Sequence, residues 1–235
     1  MDIAALTSAW VAGWTVSRGT PAAVHEPWGH RIEVGLPRHV VRHVLPAPDA
    51  ATVGALCARL TTPYSWLKIM AGPEDAHAWI TEGWTVPDDP GFMMVKPLDP
   101  GARPAPPEGY ARTTEVRDGV IRVRVLAPDG TLAARGQIAP TGSTAVADQI
   151  ETDPAHRRRG LGANVMRTLE AAAAQAGAET GVLAATTDGL ALYDSLDWRY
   201  RGPLTGIVRD GGGTADGTGT GIVTADGIRT GIVTG

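Results

Sequence analysis

The stretch "IETDPAHRRRGLGANVM", residues Ile150 to Met166, runs three arginines, Arg157 to Arg159, into a Gly-x-Gly turn and then into a helical pattern. A strand that ends at Pro154, a tight glycine turn and a helix start make successive backbone N–H groups and the helix dipole point at one spot, which suits phosphate. Gly160 and Gly162 lack a Cβ where an anion would approach the backbone, and arginine offers a charge-assisted fork for phosphate oxygens. No Lys-Ser/Thr follows the glycines as in a P-loop, and Val165 stands where G-x-G-x-x-G needs its last glycine. A nucleoside triphosphate or dinucleotide is therefore disfavoured. Taken alone, the arginines still admit a nucleic-acid patch or the solvated start of a surface helix.

Around this stretch the pattern is that of an α/β domain. Upstream, "VIRVRVLA" and "TLAARGQIA" alternate and are joined through "PDG", and "STAVADQIET" follows as a third strand, so an antiparallel meander is expected. From Gly160 to Ala176, Leu161, Val165, Leu169 and Ala172 repeat at helical spacing before Gly177 stops the helix. "GVLAATT" then reads as a buried strand, "DGLALYDSL" as a short helix and "WRYRGPLTGIV" as closing strands.

"KPLDPGARPAPPEG", Lys96 to Gly109, packs five prolines without helical or strand period and reads as a semi-rigid linker. The resulting division is an N-terminal α/β domain at 1–96, a linker at 97–109, a second domain at 110–209 and a low-complexity segment at 210–235. Trp10, Trp14, Trp28, Trp66, Trp79, Trp84 and Phe92 all precede the linker, which predicts an aromatic core of their own for the first domain. In that domain "HRIEVGL", a helix carrying Val53, Leu56, Cys57 and Leu60 after an Asp49 cap, "SWLKIM", "PEDAHAWITEG" and "GFMMVKPL" read as β, α, β, α, β. "ITEGWTVPDDPGFMM" lines up loosely with "YDSLDWRYRGPLTGIV", which suggests a degenerate internal repeat. The final segment, "GGGTADGTGTGIVTADGIRTGIVTG", reads as a flexible tail, with a hairpin turning at "ADG" as the alternative.

The 235 residues carry a formal net charge of −4, so there is no global basic field to attract nucleic acid. The lone Cys57 excludes an internal disulfide and suits a buried thiol in a reducing cytoplasm. "MDIAALTSAW" lacks a basic region followed by an apolar one, and no uncharged apolar run approaches membrane-spanning length, so neither export nor a membrane is expected.

"IETDPAHRRRGLGANVMRTLEAAA" followed by "DGLALYDSLDWRYRG" resembles the GNAT superfamily of acyl-CoA-dependent N-acetyltransferases over roughly residues 110 to 208. Arg157, Gly160 and Gly162 match the family pattern Gln/Arg-x-x-Gly-x-Gly/Ala, with Pro154 at the usual offset. The resemblance implies an α+β fold with a mixed sheet, and the loose internal repeat suggests that a smaller, degenerate GNAT-like α/β domain precedes it. It implies that backbone groups from Arg157 through Arg158, Arg159, Gly160, Leu161 and Gly162 to Ala163 hold the pyrophosphate of coenzyme A. It also implies that the main chain near Ile150 and Thr152 pairs with the pantetheine arm like an added strand, in a splay after the third strand. Arg158 and Arg159 either reach the coenzyme's other phosphate or face solvent. Two positions depart from the family: Thr186 stands where Asn is common, and Asp197 where Gly usually precedes the aromatic residue. The segment from Gly109 to Asp118 is too short for the helices that normally wall the acceptor site, so the N-terminal domain or a partner subunit would supply that wall.

Acetyl transfer to an amine needs a neutral nucleophile, a polarised carbonyl and a proton for the departing thiolate. By the resemblance Tyr193 acts as general acid or donates a hydrogen bond to the departing thiolate, with a plain packing tyrosine as the alternative. Asp148 and Glu151 are both candidate bases, on opposite strand faces unless a bulge intervenes. His39 and His43 are spaced i, i+4 on a potential helix but lack the Glu of H-E-x-x-H. A surface or interface pair is expected, and no metal. His156 is expected to face water. The expected function is transfer of acetyl from acetyl-CoA to a primary amine of a small molecule by direct attack, with a homodimer left open. A non-catalytic acyl-CoA sensor or scaffold, or a peptide N-acetyltransferase, is the alternative.

Overall fold

The computed structural model describes residues 1–101 and 103–211. The choice between tail and hairpin beyond them lies outside the described residues. In chain order the elements are α1 (Ile3–Arg18), β1 (Val24–Glu26), β2 (Gly29–Leu36), β3 (His39–Leu45), α2 (Ala50–Arg59), β4 (Trp66–Ile69), α3 (Pro73–Trp79), β5 (Trp84–Thr85) and β6 (Gly91–Pro97). There follow β7 (Ala111–Arg117), β8 (Val120–Leu126), β9 (Leu132–Thr141), β10 (Thr144–Thr152), α4 (Leu161–Gln175), β11 (Thr180–Ala185), α5 (Leu190–Asp194) and β12 (Arg199–Arg209). The described residues divide into two compact units, one of Met1–Ala22 with Met93–Arg201, the other of Ala23–Phe92 with 202–211.

The boundary therefore does not fall at the proline-rich segment. Proline removes a backbone donor but leaves its carbonyl, and here those carbonyls are bound. Arg112 Nη1 donates to the Pro104 carbonyl at 2.5 Å and Asn164 Nδ2 to the Ala105 carbonyl at 2.8 Å, while Arg103 reaches Gln175, so the segment lies along α4.

In the unit that holds the arginine-glycine turn, the strand order is β6, β11, β10, β9, β8, β7. Strands β8 to β10 form the expected antiparallel meander, β7, which the sequence reading lacks, extends it beside β8, and β10 and β11 run parallel across the α4 crossover. The two sheet faces carry different helices. A Cβ on Gly136 would meet Val165 and Leu169 of α4, whereas one on Gly13 of α1 would lie 2.3 Å from Val146 Cγ2.

Helix α1 is absent from the sequence reading, although its ends are marked: Asp2 Oδ1 accepts the Ala5 N–H at 2.8 Å, and Gly19 closes the helix at φ 63°. Trp10 and Trp14 are buried on it, so they belong to this unit and not to an N-terminal aromatic core. α1 packs against β9, β10 and β11. Gly13→Val would overpack that contact and is expected to lower unfolding stability by about 2 kcal/mol, read as a lower denaturant midpoint. An unchanged midpoint would show that α1 does not dock there.

In the other unit β1, β2 and β3 are antiparallel, β3 and β4 are parallel across α2, and β12 pairs β4 and β5. Leu45, Val53, Leu56, Cys57, Trp84 and Ile207 are buried in its core, with Trp28 and Trp79 packed against them. His39 and His43 lie on strand β3, not on a helix, and both are buried, which corrects the expected surface pair. His39 Nε2 accepts from Arg42 Nε at 3.1 Å, while the His43 ring sits 5.2 Å from that of Trp28. The two rings do not converge.

The loose repeat has a structural counterpart. Gly83 at φ 80° precedes Trp84, and Asp197 at φ 63° precedes Trp198, so Asp occupies the left-handed position that glycine takes in the first half. The closing strands, however, are exchanged. β6 follows α3 but lies beside β11, and β12 follows α5 but lies beside β4. Among the described residues no helix is long and apolar enough to cross a membrane.

Candidate active site

The β10 to β11 ladder pairs Thr144 with Thr180, Ala145 with Gly181 and Val146 with Val182, whereas β10 runs on to Thr152 and β11 to Ala185. Beyond Val146 the two parallel strands part, as the resemblance implies. Among the described residues no strand pairs with the edge of β10 that faces the opening, which includes Ile150 and Thr152, so backbone donors and acceptors stand open there.

A bulge lies at the same point. Asp148 stands opposite Gln137 and Glu151 opposite Arg135, three steps on β10 against two on β9, and Gln149 takes φ 53°. The extra residue brings Asp148 and Glu151 onto one face. Strict alternation would separate them.

After β10, Asp153 Oδ1 accepts the Ala155 N–H at 2.8 Å and opens a short turn. Arg158 at φ 61° and Gly160 at φ 76° are both left-handed, and α4 starts at Leu161. A Cβ on Gly160 would meet nothing within 4 Å, so the backbone angle, not crowding, requires glycine there. At Gly162 a Cβ would lie 3.1 Å from Leu192 Cδ2, which brings α5 against the start of α4. The Asn164 N–H bonds back to the Gly160 carbonyl at 3.0 Å, so the amides of Leu161, Gly162 and Ala163 have no carbonyl of the helix above them. The Arg157 amide instead donates to the Pro154 carbonyl at 3.4 Å. Of the arginine side chains, Arg157 Nε donates to the Thr152 carbonyl at 3.3 Å and Arg159 Nη1 to the Tyr110 hydroxyl at 2.9 Å. His156 does not simply face water: its Nδ1 lies 3.0 Å from the Tyr110 hydroxyl.

Tyr193 is buried on α5 with its ring 6.3 Å from that of Trp198, edge to face. A Cβ on Gly189 would lie 2.8 Å from Tyr193 Cε2, so glycine is needed for the ring to fold over the start of α5. Thr186 is exposed at the end of β11, and its carbonyl accepts the Gly189 N–H at 3.0 Å.

The two candidate bases differ in surroundings. Asp148 accepts from Arg18 Nε at 2.5 Å and Nη2 at 2.7 Å, from Ser17 Oγ at 2.7 Å and from the Gln149 N–H at 2.9 Å. Glu151 pairs with Arg135 at 2.8 Å, and its side chain is 37% exposed against 6% for Asp148. Sequence reasoning missed Ser17 and Arg18, because they lie on α1 and nothing in the chain connects them to a residue 130 positions away.

The second unit repeats the parallel crossover without these features. β3 and β4 stay paired from Arg42 and Trp66 to Leu45 and Ile69, and the Met70 N–H continues to the Leu45 carbonyl, so no opening forms. The Asp49 carboxylate accepts the Thr52 N–H at 2.7 Å, which places a negative charge on the start of α2 and holds that carboxyl below the usual range. Of the two parallel crossovers among the described residues, the one between β10 and β11 combines parted strands with a helix start that no side chain caps.

Residues 91–198 match the model of the Acetyltransferase (GNAT) family, and this part of the chain is a GNAT domain, a family that uses acetyl-CoA as co-substrate. The match begins at Gly91, before the proline-rich segment, as the structural division does. The chain resembles a GCN5-related N-acetyltransferase from Kribbella flavida in fold, with a TM-score of 0.63 and 18% identity over 91% of this chain and 97% of that one. A GNAT-family protein from Novosphingobium aromaticivorans aligns at a TM-score of 0.52 and 21% identity over 85% and 97%. A tandem GNAT protein of the clavulanic acid biosynthesis pathway aligns at 0.51 and 16% over 70% and 69%. At these identities the likenesses bear on the fold alone. No curated protein matches the chain in sequence.

Proposed function

We propose that the chain is a cytoplasmic N-acetyltransferase that moves the acetyl group of acetyl-CoA to a primary amine of a small molecule by direct attack. The observation that carries this reading is the coincidence, at one end of β10, of the parted strands, the left-handed turn at Arg158 to Gly160 and the open amides of α4. A pyrophosphate fits the turn and an extended pantetheine arm fits the strand edge. When bound, the coenzyme supplies an activated thioester. The protein's own groups then do the rest. Gln149 to Thr152 orient the arm, Glu151 takes a proton from the incoming ammonium directly or through water, and the Tyr193 phenol gives a proton to the departing sulfur.

The ion pairs on both Asp148 and Glu151 favour a second reading, an acyl-CoA sensor without turnover. Release of free thiol from acetyl-CoA across a panel of small amines and peptide N-termini separates the two. Turnover is expected with small amines, and Tyr193→Phe is expected to lower kcat about 100-fold with little change in acetyl-CoA affinity. Binding without release would establish the sensor, release only with peptides would exclude the small-molecule acceptor, and unchanged kcat in Tyr193→Phe would remove Tyr193 from the mechanism.

A further inference from the structure

We infer that Arg18 and Asp148 are positioning residues: with Ser17 and Gln137 they hold the Gln149 bulge that shapes the acyl end of the coenzyme site. The inference rests on the acetyl-CoA reading above and assigns Asp148 a role other than that of base.

A left-handed non-glycine residue inside a strand is disfavoured on its own and persists only where its surroundings fix it. At Gln149 the fixing contact is local, since its N–H donates to Asp148 Oδ1 at 2.9 Å. A free aspartate could swing away from that N–H. Here it cannot, because Arg18 grips both carboxylate oxygens in a fork and Ser17 Oγ adds a bond to Oδ2. Ser17 is fixed in turn, as Gln137 Nε2 donates to its carbonyl at 2.8 Å and to its hydroxyl at 2.7 Å. Gln137 is also the residue opposite Asp148 in the ladder. The network therefore closes on itself, from the end of α1 through β9 to the bulge on β10, and Arg18 also sits over the Trp14 ring at 5.4 Å.

Burial of this pair is informative. Both side chains are less than a tenth exposed, and a buried ion pair is a poor device for stability compared with apolar packing. It is a good device for fixing a geometry. The geometry fixed here, at Gln149, lies three residues past the last β10 to β11 pair, where the strands part. As a base, Asp148 would have to release the guanidinium that grips both its oxygens. As a clamp, it is already complete.

The test uses two double variants that remove both charges, so that neither leaves a buried ion alone. Arg18→Met/Asp148→Asn keeps a side-chain oxygen for the Gln149 N–H, and Arg18→Met/Asp148→Ala does not. In the alanine variant, acetyl-CoA binding is expected to weaken about tenfold while binding of 3′-phospho-ADP, which probes the pyrophosphate seat alone, stays within about twofold. Exchange of the Gln149 amide is expected to rise in the same variant. The asparagine variant is expected to restore most of the acetyl-CoA affinity and to keep the acidic limb of the pH profile of kcat/KM. Unchanged acetyl-CoA binding and Gln149 exchange in the alanine variant would overturn the inference, as would equal loss of both ligands. Loss of the acidic limb in the asparagine variant would make Asp148 the base. Failure of the wild type to bind acetyl-CoA would instead overturn the underlying functional reading.

Discussion

Gly160→Asp is expected to abolish acetyl-CoA binding in titration calorimetry, a loss of at least about 100-fold, without unfolding the protein. Aspartate tolerates a left-handed backbone better than most residues, so the φ of 76° alone costs little more than about 1 kcal/mol. The larger effect is electrostatic. A carboxylate at this position faces the amides of Leu161 to Ala163 and competes with the pyrophosphate for the positive end of α4. The second unit shows the same chemistry in place, with Asp49 bonded to the Thr52 N–H at the start of α2. Gly160→Asn, equally left-handed but neutral, is expected to lose about tenfold. Wild-type affinity in Gly160→Asp would remove the turn from the coenzyme site.

The second large effect is on stability. His43 is 2% exposed, and neither ring nitrogen has a hydrogen-bond partner among the described residues. Burial, and then the positive charges of Arg31 and Arg59, lower its pKa to about 4. The folded state therefore favours the neutral ring and the unfolded state binds the proton more readily. The stability this contributes is complete above about pH 6.5 and declines as the pH falls toward 4, by about 3 kcal/mol in all. His43→Phe keeps a ring against Trp28 and removes the proton acceptor. Denaturant midpoints measured at pH 7 and pH 4.5 should drop steeply for the wild type and much less for His43→Phe. An equal drop in both would place the acid sensitivity elsewhere.

The part of the fold legible in the sequence is the part governed by local rules. The arginine-glycine turn, the helix after it, the meander and the Asp49 cap all depend on neighbours within a few residues, and they stand where the pattern puts them. Strand partners do not follow from such rules. "GFMMVKPL" and "WRYRGPLTGIV" read correctly as strands, but a period of two says nothing about which sheet receives them, and the exchange of β6 and β12 was invisible for that reason. Proline content likewise suggested a linker, because it reports missing donors and not occupied carbonyls. Helix α1 escaped notice because it is apolar on most of its surface, so its periodicity is faint even though Asp2 and Gly19 mark its ends. His39 and His43 have helical spacing but β-branched neighbours, Val40, Val41 and Val44, and the strand preference prevails.

Within the candidate site, the glycine turn was legible and the placement of the candidate acid and bases was not. Gly160 and Gly162 reveal themselves through residue type, whereas the face shared by Asp148 and Glu151 depends on a bulge at Gln149, a residue with no mark of a left-handed position. The Arg18 contact joins residues far apart in the chain. It became visible only once α1 was seen to belong with the meander.

Amide hydrogen exchange with and without acetyl-CoA tests the central claim most directly, because it locates the ligand on the backbone. Added acetyl-CoA is predicted to slow exchange at Gln149 to Thr152 and at Arg158 to Ala163, and to leave Asp49 to Val53 at the start of α2 unchanged. Unaltered exchange at the first two segments in the presence of saturating acetyl-CoA, or protection confined to the second crossover, would contradict it.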